Sequence, residues 1–276
     1  MSYFLFKDGK QISLEKAESI NYFDANRLNI FESIRTYDGI PFKIDEHLKR
    51  LGESAKTSGL ALPTELEHIK LEILRAIKKV PKAEYFIRVT VIEDSVLILF
   101  VPEKQYPASI YKEGVDVTTV ATLRNAANSG FPPAKTSNFL NQILGTLDPG
   151  GQTSFEVIFK GEDGTLQEAR TWNFFIVKKG VLKTPPPEGL LSGVTRKFVI
   201  KLALNLRIPF QETKLTRHEA YNADEAFLTN TSGEIVPIRT WDARKIGETI
   251  PGPITKRLHI EYKKAVKNEN KTARAH

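Results

Sequence analysis

A chain of 276 residues with 41% hydrophobic and 26% charged residues has the balance of a folded globular protein, long enough for one large domain or two modest ones. The absence of cysteine excludes disulfides, thiolate nucleophiles and cysteine metal sites, and the five histidines show no metal-ligand spacing, so no metal is expected. Much of the +7 net charge lies in KKAVKNENKTARAH and IKKVPK, which read as solvated segments, and no nucleic-acid motif accompanies it.

In chain order, Tyr3–Phe6 and Gln11–Ser13 read as a hairpin closed by Asp8-Gly9. In NIFESIRTYDGIPFKI, two strands flank Asp38-Gly39, with Phe31, Ser33, Arg35 and Tyr37 on one face and Ile30 and Ile34 on the other. EHLKRL opens a helix that Gly59 can end, and Leu66, Ile69, Ile73 and Ile77 mark a second helix after Pro63. AEYFIRVTVI is a strand with Tyr85, Ile87, Val89 and Val91 on one side and Phe86, Arg88 and Thr90 on the other; SVLILFV pairs with it.

SNFLNQILGTL then reads as a helix, EVIFKGEDGTLQEARTWNFFIVKKGVLKTPP as strand, turn, strand, turn, strand, and GVTRKFVIKLALNL as a long amphipathic helix. EAFLTNTSGEIVPI is a strand and tight turn, and PGPITKRLHIEYKKAV a closing helix. The expected fold is α+β in two domains: a small one over 1–116, a linker over 117–130 and a larger one over 131–276. No run is apolar enough to span a bilayer and the first residues lack a signal-peptide pattern, so no membrane partner and a cytoplasmic location are expected.

Three features carry chemistry. Lys135 follows Phe131-Pro132-Pro133 and is read as opening a helical segment where a stiff chain changes direction. Glu168 stands on a strand just after a turn, amid apolar sequence. Gly193-Val194-Thr195 opens a long helix, whose free N–H groups and dipole suit a phosphate. Singly, each has a bland explanation: a surface lysine, a solvated turn carboxylate, a helix cap.

In this order they resemble the branched-chain and D-amino acid aminotransferase family, the fold type IV pyridoxal-phosphate enzymes, along nearly the whole chain. The segments that carry the resemblance are IFESIRTYDG with DEHLKRL, AKTSNFLNQIL, DGTLQEARTWNFFIVKKGVLKTPP, LLSGVTRKFVIKLA, AFLTNTSGEIVPI and PGPITKRL. The resemblance implies a cofactor, pyridoxal 5'-phosphate, at the domain interface, with Lys135 as the Schiff-base lysine and Glu168 as partner of the pyridine nitrogen. It makes Arg50, Val194, Thr195 and Thr231 the phosphate ligands. Phe31, Arg35, Arg88, Arg27 and Ser232 become the substrate-binding candidates. It also implies amino acid and 2-keto acid substrates and a homodimer with shared active sites.

The chain departs from the family where tyrosine usually follows the lysine by four residues (Phe139 here), after Glu168 (Ala169-Arg170-Thr171-Trp172-Asn173) and at Asn26-Arg27. Arg170 and Trp172 either crowd the cofactor's flank or pack elsewhere. These departures leave branched-chain transamination as the leading reading. The alternatives are a D-amino acid aminotransferase, an aminodeoxychorismate lyase-like enzyme, and a basic binding protein that keeps the fold without the chemistry.

Overall fold

The structure, a computed structural model, describes residues 2–13, 29–92, 94–103, 105–124, 134–188 and 190–275. The chain divides into two compact units: Met1–Lys104 with Ala134–Asn138 and Asn268–His276, and Gln105–Pro133 with Phe139–Lys267.

The first unit is built on an antiparallel sheet of six strands in the order β2-β1-β6-β5-β3-β4. These are β1 (Phe4–Lys7), β2 (Lys10–Ile12), β3 (Ile30–Tyr37), β4 (Ile40–Pro41), β5 (Tyr85–Ile92) and β6 (Ser95–Pro102). Asp8 and Gly9, both at positive φ (46° and 74°), close the first hairpin in the conformation that Asp-Gly favours. Helix α1 (Ile44–Thr57) ends as its sequence suggests: Gly59 adopts φ +67°, donates to Lys56 O, and Leu60 N reaches Ala55 O. Helix α2 (Leu66–Ala76) follows.

Period-two alternation sorts the strands into two faces. Ile30 and Ile34 of β3, Tyr85, Ile87, Val89 and Val91 of β5 and Ile98 and Phe100 of β6 form one core with Leu48, Leu51 and Ala55 of α1 and Ile69 and Ile73 of α2. Each large apolar side chain among them contributes about 1.5–3 kcal/mol by leaving water, which fixes the register, because a one-residue slip would expose them all. The opposite face of β3 and β5 is thereby left to Phe31, Ser33, Arg35, Arg88 and Thr90, with Ser33 paired to Arg88 and Phe31 to Thr90.

The second unit holds a mixed sheet in the order β12-β11-β10-β13-β14-β7-β8-β9, with β15 paired to β14. Its strands are β7 (Val115–Leu123), β8 (Glu156–Lys160), β9 (Leu166–Ala169), β10 (Asn173–Lys178), β11 (Val181–Thr184), β12 (Phe210–Glu212), β13 (Glu225–Asn230), β14 (Glu234–Trp241) and β15 (Arg244–Lys245). The helices are α3 (Ala108–Glu113), α4 (Leu140–Leu147), α5 (Val194–Asn205), α6 (Arg217–Tyr221) and α7 (Pro253–Ala275), whose residues from Asn268 onward belong to the first unit.

Three local readings change. Val117–Leu123, read as linker, belongs to β7, a strand parallel to both β14 and β8; its β-branched run VTTVATL suits a buried ladder. The segment after β8 carries three strands instead of two: Ala169 N donates to Trp172 O at 2.9 Å, a tight reversal that separates β9 from β10. Lys135 does not open a helix. Helix α4 begins at Leu140, and residues 135–137 run extended beside β3, where their backbone groups find partners.

Candidate active site

In the first unit, the lysine segment is stitched to the start of β3. Phe31 N donates to Lys135 O at 3.0 Å, Ser137 N to Asn29 O at 2.8 Å, and Lys135 N to Ser54 Oγ of α1 at 3.1 Å. These bonds fix the backbone of a half-buried lysine on both sides. Its ammonium lies 4.5 Å from the centroid of the Phe31 ring, and the Arg88 guanidinium lies 3.9 Å from the same ring. One aromatic ring thus carries both cations, an attraction worth about 0.5–2 kcal/mol each. Arg35 turns onto Tyr37 at 4.5 Å. Arg27 lies outside the described residues.

Arg50, on the sheet-facing side of α1, is 7% exposed and is held by Glu32, which is fully buried on the apolar face of β3. Its Nε donates to Glu32 Oε1 at 2.6 Å and its Nη2 to Oε2 at 2.8 Å, a two-point pair. His47 Nδ1 lies 2.8 Å from Oε2, so the imidazole proton on that nitrogen is the donor. Burial alone would push the Glu32 carboxyl up, but the Arg50 guanidinium and the His47 bond outweigh it and hold the group far below the usual carboxylate range. Burial pushes His47 down, against the pull of Glu32, and the nearby charges of Arg50 and Lys135 push the same way. The triad is a carboxylate, a guanidinium and a neutral imidazole.

In the second unit, Glu168 at the end of β9 is 5% exposed and gathers donors from three segments. Arg124 Nη2 approaches Oε1 at 2.7 Å, Asn173 Nδ2 donates to Oε2 at 3.4 Å, and Leu191 N reaches both oxygens at 3.3 and 3.2 Å. Helix α5 starts at Val194 behind Gly193, and among the described residues no side chain caps it. Val194 and Thr195 are nevertheless buried, at 7% and 6% exposed. A buried helix start without a side-chain cap presents N–H donors and the positive end of the helix dipole, the requirement of a bound anion. Thr231 and Ser232 sit half-buried in the turn between β13 and β14. In the adjoining strand Thr229 Oγ1 is buried with no hydrogen-bond partner among the described residues.

The two bulky departures are both held by neighbours within this unit. Arg170 Nε pairs with the buried Glu156 at 3.2 Å and its Nη1 donates to Thr146 Oγ1 at 2.9 Å. Trp172 is 5% exposed in the core beside Tyr106 and Phe155. Phe139 precedes α4 at its N-cap.

Sequence reasoning missed Glu32, His47, Arg124 and Asn173. Glu32 did leave a signal: it alternates onto the apolar face between Ile30 and Ile34, where an unpaired carboxylate would be costly. Arg124 left none, standing just after β7 with no periodicity around it.

A model of the amino-transferase class IV family matches residues 29–241. The chain belongs to the class IV aminotransferase family. The branched-chain-amino-acid aminotransferase of Escherichia coli K12 is 31% identical over 255 residues, covering 85% of this chain and 82% of that protein. The branched-chain aminotransferase of Thermoproteus uzoniensis, solved with norvaline, superposes with a TM-score of 0.84 at 31% identity, over 95% of this chain and 94% of that one. A T.th. branched-chain amino acid aminotransferase solved with pyridoxamine 5'-phosphate superposes with a TM-score of 0.85 at 26% identity, over 95% and 93%.

Proposed function

We propose that this aminotransferase uses pyridoxal 5'-phosphate to exchange an amino group between a branched-chain amino acid and a 2-keto acid. The observation that carries the reading is the lysine segment: a backbone pinned by three hydrogen bonds presents Lys135 Nζ over the Phe31 ring that also carries Arg88. The second unit supplies a donor set that fits the cofactor: an uncapped, buried helix start for a phosphate and a carboxylate fixed by Arg124 for a pyridinium. Similar structures and relatives carry branched-chain aminotransferase names, and one is solved with pyridoxamine 5'-phosphate. None of these favours the D-amino acid, lyase or binding-protein alternatives.

When bound, pyridoxal phosphate supplies a carbonyl carbon for the amino group and a ring that takes up the electrons of the Cα–H bond. The chain's residues do the rest. Lys135 Nζ would hold the cofactor and would carry the Cα proton. Glu168, fixed by Arg124, Asn173 and Leu191 N, would pair with the pyridine nitrogen. Within the first unit Arg50, oriented by Glu32, is suited to a phosphate, and within the second so are the Val194 and Thr195 amides with Thr231. Phe31 lines the substrate side. Arg88, with Arg35 or Arg27, would take a substrate carboxylate, and Ser232 is a further substrate-binding candidate in the second unit.

A homodimer fits the second unit's surface. Leu140, Ile143, Leu144 and Leu147 form one stripe of α4 at helical spacing, 59%, 56%, 43% and 63% exposed, and a second copy would cover it. Sedimentation showing only monomers at micromolar concentration contradicts this.

The test of the activity is a panel of leucine, isoleucine, valine, alanine and D-alanine against 2-oxoglutarate and pyruvate, with the chain loaded with pyridoxal phosphate. Branched-chain substrates should react fastest. Arg88→Ala should raise KM for 2-oxoglutarate by roughly ten- to hundred-fold, the loss of a charge-assisted pair worth about 1.5–3 kcal/mol. Turnover of D-alanine alone, or pyruvate release without an acceptor, overturns the reading.

A further inference from the structure

The most unusual side chain near the proposed cofactor residues is Trp172, which the mechanism above leaves without a role. Its indole is backed by two rings, Tyr106 with centroids at 6.0 Å and Phe155 at 5.7 Å, both tilted by nearly 60°. The edge of its six-membered ring meets Gly233. A Cβ built on Gly233 would overlap Trp172 Cη2 outright and lie 2.6 Å from Cζ3 and 2.9 Å from Cζ2. Gly233 does not adopt positive φ, so its backbone has no need of glycine; the indole needs the space. Trp172 is buried and packed against Tyr106 and Phe155, so its six-membered ring acts as a stop for the Thr231–Ser232–Gly233 turn.

The same turn is tied from its ends. Gly233 N donates to Asn230 Oδ1 at 2.6 Å, and Glu234, held at φ 60°, bonds His259 Nε2 at 2.9 Å. Asn173, the neighbour of Trp172, repeats the pattern. A Cβ on Gly193, whose φ is −62°, would overlap Asn173 Oδ1, while Asn173 Nδ2 bonds Leu191 O and Glu168. Trp172 and Asn173, adjacent at the start of β10, therefore touch the turn that bears Thr231, the start of α5 and the carboxylate Glu168.

We infer that Trp172 is a positioning residue, whose indole sets the height of the Thr231 turn against the helix start of α5 and so tunes the grip on the cofactor's phosphate. The inference rests on the proposed function above. A tryptophan that merely filled the core would change stability and leave the preference for a phosphorylated ligand alone. The indole as a stop changes that preference.

The experiment measures dissociation constants of pyridoxal 5'-phosphate and of pyridoxal, which lacks the phosphate, for the parent chain, Gly233→Ala, Trp172→Phe and the double variant. The parent should prefer the phosphorylated ligand strongly. Gly233→Ala, forced off the indole, should lose at least about ten-fold in pyridoxal phosphate affinity with pyridoxal little changed. Trp172→Phe, which removes the outer ring edge, should restore most of that loss when combined with Gly233→Ala. Equal phosphate preference in parent and Gly233→Ala, or a loss that the double variant fails to relieve, overturns the inference while leaving the proposed function standing. A parent chain that binds neither ligand overturns the proposed function itself.

Discussion

Among the described residues, Glu168 has four polar contacts from three donors, one of them the guanidinium of Arg124. Replacing the carboxylate by an amide keeps the shape and removes the charge that holds a proton on a pyridine nitrogen. Glu168→Gln should therefore retain pyridoxal phosphate and slow the amino-acid half-reaction by at least about a hundred-fold, read by stopped-flow absorbance. A parent-like half-reaction rate would place Glu168 outside the chemistry. Position along the chain pointed to this glutamate, through the turn before it and the apolar residues around it. It did not point to Arg124, because an ion pair between residues 124 and 168 leaves no local periodicity. Trp172 shows the opposite limit. Its bulk was evident from the sequence, but whether it crowded the site or filled a core depended on Gly233, far along the chain.

At the scale of elements, most strands and helices followed from alternation and capping, since the apolar faces of β3, β5 and α1 decide their own burial. The failures were at reversals and joins. The split of β9 from β10 depends on one backbone bond between Ala169 and Trp172, and the delayed start of α4 on the offer of β3 as a partner for residues 135–137. Between β3 and α1, the Glu32–Arg50–His47 triad adds a pH dependence. Glu32 is held below its ordinary value of about 4.3 and His47 below its ordinary 6.5. In both cases the unfolded chain binds protons that the folded chain refuses, so each contribution is complete above the ordinary value and is lost as pH falls. The parent's urea midpoint should accordingly drop from pH 7 to pH 4. Glu32→Gln leaves the buried Arg50 charge unanswered, which should cost about 3–5 kcal/mol at pH 7 and flatten the acid limb. An unchanged midpoint at pH 7 would show that the triad contributes nothing to stability.

At the scale of the molecule, the sequence led to a two-part α+β chain of the class IV aminotransferases, and the family match over residues 29–241 agrees. The topology explains why so much was readable. Lys135 joins the first unit although its neighbours from Phe139 onward belong to the second, so the lysine segment is a short excursion fixed by β3 and α1. Net charge was the least informative quantity. Much of the +7 excess lies in KKAVKNENKTARAH and IKKVPK, and no helix among the described residues is long and apolar enough to cross a membrane. The central claim is that Lys135 is the residue that anchors the cofactor. Borohydride reduction of the chain loaded with pyridoxal phosphate, followed by peptide mapping, tests it most directly. The account predicts one pyridoxyl group, on Lys135, and none at that site in Lys135→Ala, which should also lose turnover. A pyridoxyl group carried by any other lysine, with Lys135 unmodified, would contradict it.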